Sequence, residues 1–449
     1  MGDKRESWGS RFGFIMTAAG FSIGLGNIWR FPYLVGVNGG GAFLITYLLI
    51  IVFISLPLFI AEVSLGRKTQ LNPIAGMRKL TKKGSPWVLI GWFGILASFF
   101  IMTYYMSILG WVFVYFFKVL FGLIDTTSPE TIALAFQAFT SSPLQVAFFA
   151  ALAMVIVGLI SSKGLKDGLE KSCKVMMPAL FIILIILAIR SLTLPGAMEG
   201  LKWYLTPDFS KITFDTALAA LGQTFFSIGI ASAAAFIYGS YLDKKDSNLP
   251  TDLTIVAVFD TFGAFTAGLV IFPAIFALGL QPDVGTSLLF VTLPNLFAQL
   301  PLGNIFGGAF FFLVSLAGVS SALGYLEAVV LPVAELRNMD RRKTVWATLA
   351  VMFIIGLAPV MSLGPWKNIL IFGRTFFDFA DYLSANILMA VGGLLIALYT
   401  GYVWRFENFQ ADTNVGAQGL FIPKFFKPLY LFVIPVAIGI LLVKGLGLF

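Results

Sequence analysis

Gly20-Phe21-Ser22-Ile23-Gly24-Leu25-Gly26-Asn27 lies in the middle of the first apolar stretch of a 449-residue chain. Each glycine costs a helix about 1 kcal/mol against alanine, so Gly20, Gly24 and Gly26 together can release the backbone from its helical hydrogen bonds. Unwound backbone at membrane depth survives only where it is buried in protein or lines a cavity. Close packing of small residues against a neighbouring helix would use the same glycines. Asn27 and Arg30 follow in the same apolar stretch and favour a site, because intramembrane polar groups are costly and mark functional positions.

The rest of the chain supplies the membrane. Hydrophobic residues make up 58% and charged residues 12% of the sequence, and mean hydropathy is +0.92. Soluble domains carry about 25% charged residues, so no soluble core absorbs this much apolar surface. Histidine is absent, which removes imidazole catalysis, haem ligation and most zinc sites. Cys173 is the single cysteine and excludes an internal disulfide. The pattern of a cleaved signal peptide is missing from the start, so the N-terminus is expected to be retained.

A membrane span needs about 20 apolar residues. Eleven segments qualify, at 11–35, 41–66, 88–121, 143–160, 172–190, 214–241, 253–279, 304–334, 344–362, 371–404 and 426–447. Residues 284–300 are apolar but short, and read as a re-entrant or loop helix. With the N-terminus inside, only Lys118, Arg190, Lys202, Lys211, Lys367, Arg374 and Lys444 fall in outer loops and Arg30 within a span. The remaining Lys and Arg gather on the inner side, as the positive-inside rule requires. The net charge of +8 is thereby explained by loops that meet anionic lipid, without a nucleic-acid partner.

The sixth segment contains Gln223-Thr224-Phe225-Phe226-Ser227-Ile228-Gly229-Ile230-Ala231-Ser232-Ala233. Alone it is compatible with a packing face. Its place is informative, since segments one and six open two consecutive sets of five helices. Interrupted helices in corresponding places of two halves point to a transporter with inverted repeats and a binding site at mid-membrane.

Arg5, Trp8, the run Gly24-Leu25-Gly26-Asn27-Ile28-Trp29-Arg30-Phe31-Pro32-Tyr33 and Asn38-Gly39-Gly40-Gly41-Ala42-Phe43 resemble the neurotransmitter:sodium symporter family. The likeness covers nearly the whole chain and is strongest to the bacterial amino-acid transporters. It implies an all-α polytopic membrane protein with a LeuT-like 5+5 inverted repeat, broken helices 1 and 6, and about eleven transmembrane helices. The implied organisation is a tail over 1–10, a first repeat over 11–191, a second over 192–404, and a cytoplasmic loop with helix 11 over 405–449. A twelfth helix is lacking, as in the eleven-helix members.

Carried over residue by residue, the resemblance implies two sodium sites and no chloride. One sodium would be held by the Ser22 carbonyl, the Asn27 side chain, Ser227, Asp260 and the substrate carboxylate. The other would use backbone oxygens of Gly20, Ile23 and Ala317 with the hydroxyls of Ser320 and Ser321. Asp260 would supply a fixed negative charge, with Ala264 where chloride-dependent members place a serine. A lone carboxylate in a span needs a cation or a proton beside it; a protonated structural Asp is the bland alternative. The substrate pocket would be lined by Ile101, Tyr105, Phe226, Gly229, Ser232, Ser321 and Tyr325, with Tyr105 and the N–H groups of Leu25 and Gly26 on the carboxylate. Ala231 and Ala233 stand where glycines are usual, Ser232 where a bulky Phe is usual, and Tyr325 where the family has an aliphatic residue. These departures point away from leucine.

Gates follow from charge pairs. Arg30 and Asp378 would close the outer side above Phe226 and Tyr105, with Asp381 as rival partner. Arg5 and Glu335 would close the inner side with Trp8 and Tyr241. Glu62 would hydrogen-bond the broken sixth helix. The implied protein is a sodium-coupled symporter of a small amino acid, possessing no enzymatic activity, in the plasma membrane with a cytoplasmic N-terminus. Its partners are the substrate and the bilayer, as a monomer or weak homodimer. A carrier of taurine or of β- or γ-amino acids, and a non-transporting sensor on the same scaffold, are the alternatives.

Overall fold

The computed structural model describes residues 6–124, 128–243, 248–279, 288–416 and 419–447. In chain order the helices are α1 (Arg11–Ser22), α2 (Gly26–Val37), α3 (Gly41–Thr69), α4 (Pro73–Leu80), α5 (Pro86–Leu120), α6 (Pro129–Thr140), α7 (Pro143–Ser161), α8 (Leu165–Leu192) and α9 (Ala197–Leu205). They continue as α10 (Phe214–Ile228), α11 (Ala234–Ser240), α12 (Leu249–Ala277), α13 (Thr292–Ala298), α14 (Gly303–Arg337), α15 (Arg341–Ser362), α16 (Phe376–Val403), α17 (Phe406–Thr413) and α18 (Lys424–Gly445). Among the described residues, β structure is limited to the isolated bridges Gly40–Pro207 and Ile371–Arg374.

Among the described residues nine helices (α3, α5, α7, α8, α12, α14, α15, α16 and α18) are long and apolar enough to cross a membrane. The pair α1 and α2 makes a tenth span bent by 51°. The sixth segment, expected over 214–241, is two helices, α10 and α11, parted by residues 229–233. Most ends fall within a few residues of the sequence reading. Two differ more: α8 begins at Leu165, because Lys166, Asp167 and Glu170 are helical despite their charge, and α16 begins at Phe376, after the Ile371–Arg374 bridge. Helix α13 is the loop helix expected within 284–300; residues 280–287 lie outside the described residues.

Starts are set by side chains that accept the free N–H groups of a first turn. Ser10 caps α1 through Gly13 N, Asn248 caps α12 through Thr251 N, and Thr375 caps α16 through Asp378 N. Thr213 and Thr216 cap α10 reciprocally. In the packing, α14 lies along α5, α1 lies among α8, α12 and α14, and α11 is pressed to α3. The last contact is backbone on backbone. A Cβ on Gly66 would stand 1.8 Å from the Phe236 carbonyl oxygen, and one on Gly239 would stand 2.1 Å from that of Val63. Glycine at both positions is what lets α11 sit at this depth, and it fixes where the second break opens.

Candidate functional site

The first break is made by Ile23, whose backbone is extended (φ −80°, ψ 92°) where α1 ends. Asn27 closes it from the far side: its Oδ1 accepts the Gly24 N–H at 3.1 Å. Gly24 is also a close approach, since a Cβ there would stand 2.5 Å from Ser321 Oγ on α14. At Gly26 the same position would meet the Phe226 ring at 2.9 Å, and the Gly26 carbonyl accepts from Gln223 Nε2 at 2.9 Å.

The second break runs through Gly229, Ala231 and Ala233, all left-handed at φ 69°, 61° and 65°. Two alanines in that region are strained by about 1–2 kcal/mol each. The opened backbone is held from outside: the Ala231 N–H donates to the buried Glu62 carboxylate at 2.7 Å, and the Ser232 carbonyl accepts from Ser98 at 2.5 Å. The Ser232 hydroxyl turns back onto the Gly229 carbonyl at 2.6 Å.

Between the breaks stands Asp260 of α12, fully buried. Its Oδ1 accepts from Asn27 Nδ2 at 2.8 Å and Ser227 Oγ at 2.9 Å, and its Oδ2 accepts from Tyr47 O–H at 3.2 Å. Asn27 Nδ2 reaches the Asp260 carbonyl as well, at 3.1 Å. Among the described residues no cationic side chain lies within 4.0 Å of this carboxylate. A buried anion with neutral donors alone is costly, and a small cation bound at its oxygens would remove that cost. Around Gly20, the Ser321 hydroxyl donates to the Phe21 carbonyl at 2.9 Å, and Ser320 donates to the Ala317 carbonyl at 3.0 Å. These carbonyl and hydroxyl oxygens form a neutral, hard donor set suited to an alkali cation. Ile23 contributes the bend, while its side chain faces Gly263 of α12.

A cavity of about 330 Å³ opens beside the first break, lined by Leu25, Gly26, Tyr105 and Phe226 and, farther out, by Arg30, Tyr104 and Asp381. Ser22, Ile101, Ser227, Ser321 and Tyr325 are buried but do not line this cavity; the Tyr325 ring centroid is 6.1 Å from that of Tyr105. Tyr105 O–H is buried and makes no well-formed hydrogen bond among the described residues, with the Ser321 hydroxyl and the Leu25 backbone close by. Phe21, at the end of α1, packs against the second break and α14. A Cβ on Gly229 would meet its ring at 2.4 Å, one on Gly324 at 2.1 Å, and its centroid is 5.0 Å from that of Tyr325.

At the outer end of this cavity the guanidinium of Arg30 stacks over Phe226 with 5.2 Å to the ring centroid. The acid that lines the same cavity is Asp381, which accepts from Tyr104 O–H at 2.8 Å. Asp378 is turned away: it is exposed and accepts from Thr375 in the first turn of α16. Of the two acids named for Arg30, Asp381 shares its cavity, while Asp378 is engaged at its own helix end. Among the described residues no ion pair within 4.0 Å joins Arg30 to either acid.

At the start of α1 the N-terminal segment is packed against the end of α11. Trp8 donates from its indole N–H to the Tyr238 carbonyl at 3.0 Å and packs edge-on against Tyr238 and Tyr241. Tyr241 O–H donates to Glu327 at 2.6 Å, and Arg341 holds the same carboxylate with two bonds of 2.9 and 2.6 Å. Glu335 accepts from Asn72 at 2.7 Å; Arg5 lies outside the described residues. Glu327, Arg341, Tyr47 and Phe21 were not singled out in the sequence. Glu327 was findable, as a lone carboxylate in a span under the rule that marked Asp260.

The model of the sodium:neurotransmitter symporter family matches residues 5–128 and 131–448. The chain is 36% identical over 448 residues to YhdH of Bacillus subtilis, an uncharacterized sodium-dependent transporter, spanning 99% of this chain and 98% of that one. It is 30% identical over 412 residues to the sodium-dependent serotonin transporter of Drosophila melanogaster, covering 80% and 65% of the two. The crystal structure of MhsT in complex with L-phenylalanine superposes with a TM-score of 0.89 at 37% identity, over 98% of this chain and all of that one. The fold is the LeuT-like bundle with broken helices 1 and 6.

Proposed function

The chain belongs to the sodium:neurotransmitter symporter family, and we propose that it imports a small amino acid by sodium-coupled alternating access. Residues 11–191 and 192–404 act as its two inverted repeats, with the N-terminus cytoplasmic. The reading rests on the Tyr105 hydroxyl, buried without a well-formed hydrogen bond beside the first break. A substrate carboxylate placed there accepts from Tyr105 and from the N–H groups of Leu25 and Gly26. Its other oxygen meets a sodium ion held by the Ser22 carbonyl, Asn27, Ser227 and Asp260. A second sodium is held by Gly20, Ile23, Ala317, Ser320 and Ser321 and ties α1 to α14.

Shared ligation makes the coupling. Sodium touches the substrate, so each strengthens the binding of the other by the same free energy. We infer size selection from Phe21 and Tyr325, whose rings pack 5.0 Å apart beside the second break and leave less room there for a large side chain, which favours residues of the glycine or alanine class. MhsT binds L-phenylalanine on a similar fold; the packing of Phe21 on Tyr325 is what argues for a smaller substrate here. Transport is chloride-independent, and a proton replaces sodium on Asp260 during the empty return.

The deciding experiment is a binding screen over α-, β- and γ-amino acids and taurine, in sodium and in choline, followed by uptake into proteoliposomes. A small α-amino acid that accumulates against its gradient only with sodium supports the reading. Accumulation in choline refutes sodium coupling, a preference for phenylalanine over alanine refutes the size argument, and binding without accumulation makes the protein a sensor.

A further inference from the structure

Glu170 sits near the start of α8, and its side chain is 2% exposed. Its Oε2 accepts the Gly9 N–H at 2.7 Å and its Oε1 accepts the Ser10 hydroxyl at 3.0 Å. Lys174, one turn along α8, pairs with the same carboxylate at 2.6 Å. Ser10 in turn accepts the Gly13 N–H at 3.0 Å and caps α1. The first turn of α1 contains no acidic residue of its own. A helix N-terminus carries free N–H groups and partial positive charge, and the anion that meets it here comes from another helix.

The fit is close. A Cβ on Gly9 would stand 3.1 Å from the Glu170 carboxylate and one on Gly13 only 1.9 Å. Glycine at both positions is what admits the carboxylate to the end of α1. The same segment is tied elsewhere, by Trp8 to Tyr238, by Glu6 to the Leu165 N–H and by Arg11 to Asp252. The Glu170 contact differs in joining α8 directly to the cap of α1. At its other end α1 carries Gly20 and Ser22. Beside Glu170 on α8, the buried Cys173 lies against Thr17 and Gly20 of α1.

We propose that Glu170 is a positioning residue: a latch that holds the capped end of α1 against α8 and keeps the N-terminal mouth shut. Opening that mouth requires Gly9 and Ser10 to leave the carboxylate. The proposal rests on the alternating-access reading, because a latch on α1 matters only where α1 moves. Its loss favours the state in which α1 has left α8, while the substrate cavity on the far side of the break is untouched.

The chain's single cysteine reports on this contact without engineering. Purified full-length protein is labelled at Cys173 with a fluorescent maleimide, in choline and in sodium, with unfolding temperature measured in parallel. Two variants break the latch from opposite sides: Glu170→Ala removes the carboxylate, and Gly13→Ala displaces it while leaving Glu170 in place. Each should label roughly tenfold faster or more in choline, the effect of one lost charge-assisted contact. The double variant should label no faster than the singles, since both remove the same contact. Sodium should slow labelling in every form. Wild-type labelling rates in both single variants overturn the latch, as do raised rates that come with a collapsed unfolding temperature and no sodium protection. Faster labelling in both folded variants, with sodium inert even in the wild type, supports the latch and refutes the sodium reading.

Discussion

Tyr105→Phe separates the substrate-free and substrate-bound states of the site, because the structure predicts effects of opposite sign on them. In the structure the phenol oxygen is buried and makes no well-formed hydrogen bond, lying 3.6 Å from where a Cβ on Gly24 would stand. An unsatisfied buried hydroxyl costs about 1–3 kcal/mol. Deleting it therefore leaves the substrate-free protein as stable as before or more so, since the ring keeps its packing 6.1 Å from Tyr325. Under the proposed binding mode the same hydroxyl donates to the substrate carboxylate, a bond of about 1.5–3 kcal/mol. Its loss weakens affinity roughly ten- to a hundredfold, at tenfold per 1.4 kcal/mol. Sodium binding without substrate stays near wild type, because Tyr105 is not among the sodium ligands. Melting temperature without substrate and calorimetric titration with substrate measure the two arms. A mutant that melts earlier but binds substrate with unchanged affinity would show that the hydroxyl serves packing alone, and the carboxylate assignment would fall.

Four further outcomes are expected. Changing Ser320 and Ser321 together to Ala should weaken sodium binding and uptake in parallel, and unchanged sodium dependence would remove the pair from the site. Ala231→Gly should raise the melting temperature, because glycine accepts φ 61° without the left-handed penalty of about 1–2 kcal/mol; a lower melting temperature would place the strain elsewhere. Glu327→Gln should destabilise, by less than the ~3–5 kcal/mol of a fully buried broken pair, because Arg341 stays 20% exposed with Glu6 at 3.7 Å. Adding Arg341→Gln should then cost less than the sum of the singles, and strict additivity in thermal melts would count against a coupled pair. Replacing chloride by gluconate should leave wild-type uptake unchanged, whereas Asp260→Asn should reduce it or make it chloride-responsive, with Ala264→Ser restoring a hydroxyl ligand; wild-type uptake that collapses without chloride refutes the charge argument.

The breaks were legible because glycine weakens a helix wherever it occurs, and Asp260 because a carboxylate in an apolar span has few cheap environments. Neither signal reaches the residues that complete the site. Phe21 and Tyr47 are aromatic residues in apolar runs of a chain with 47 Phe, and nothing in periodicity separates a ring that touches a break or a buried carboxylate from one in the general packing. Asp378 and Asp381 are three residues apart on one helix, and only the position of the cap at Thr375 decides which faces the cavity. Glu170 lies between the spans expected at 143–160 and 172–190, in a stretch that reads as a loop until Leu165–Glu170 is seen to be helical. Partners far along the chain, such as Glu170 with Gly9 or Asn27 with Asp260, are set by how the helices pack, and one sequence without its fold does not contain that distance.

The charge at Asp260 explains why these particular elements meet. The carboxylate takes a donor from α2 (Asn27), from α3 (Tyr47) and from α10 (Ser227), so both halves of the chain contribute to one buried anion. Three neutral donors soften the charge but do not cancel it, and burial in a low-dielectric interior keeps the remainder expensive. Under the proposed mechanism sodium supplies the missing positive charge, and it does so at the point where Asn27 ties down the first break and Ser227 precedes the second. Binding the ion therefore stabilises the geometry of both breaks at once. Ala264, fully buried on the same helix, offers no hydroxyl to a chloride ion, and with the carboxylate already present a second anion would add repulsion. The ion that balances the site is then the ion that orders it, which is the physical content of coupling between sodium and substrate.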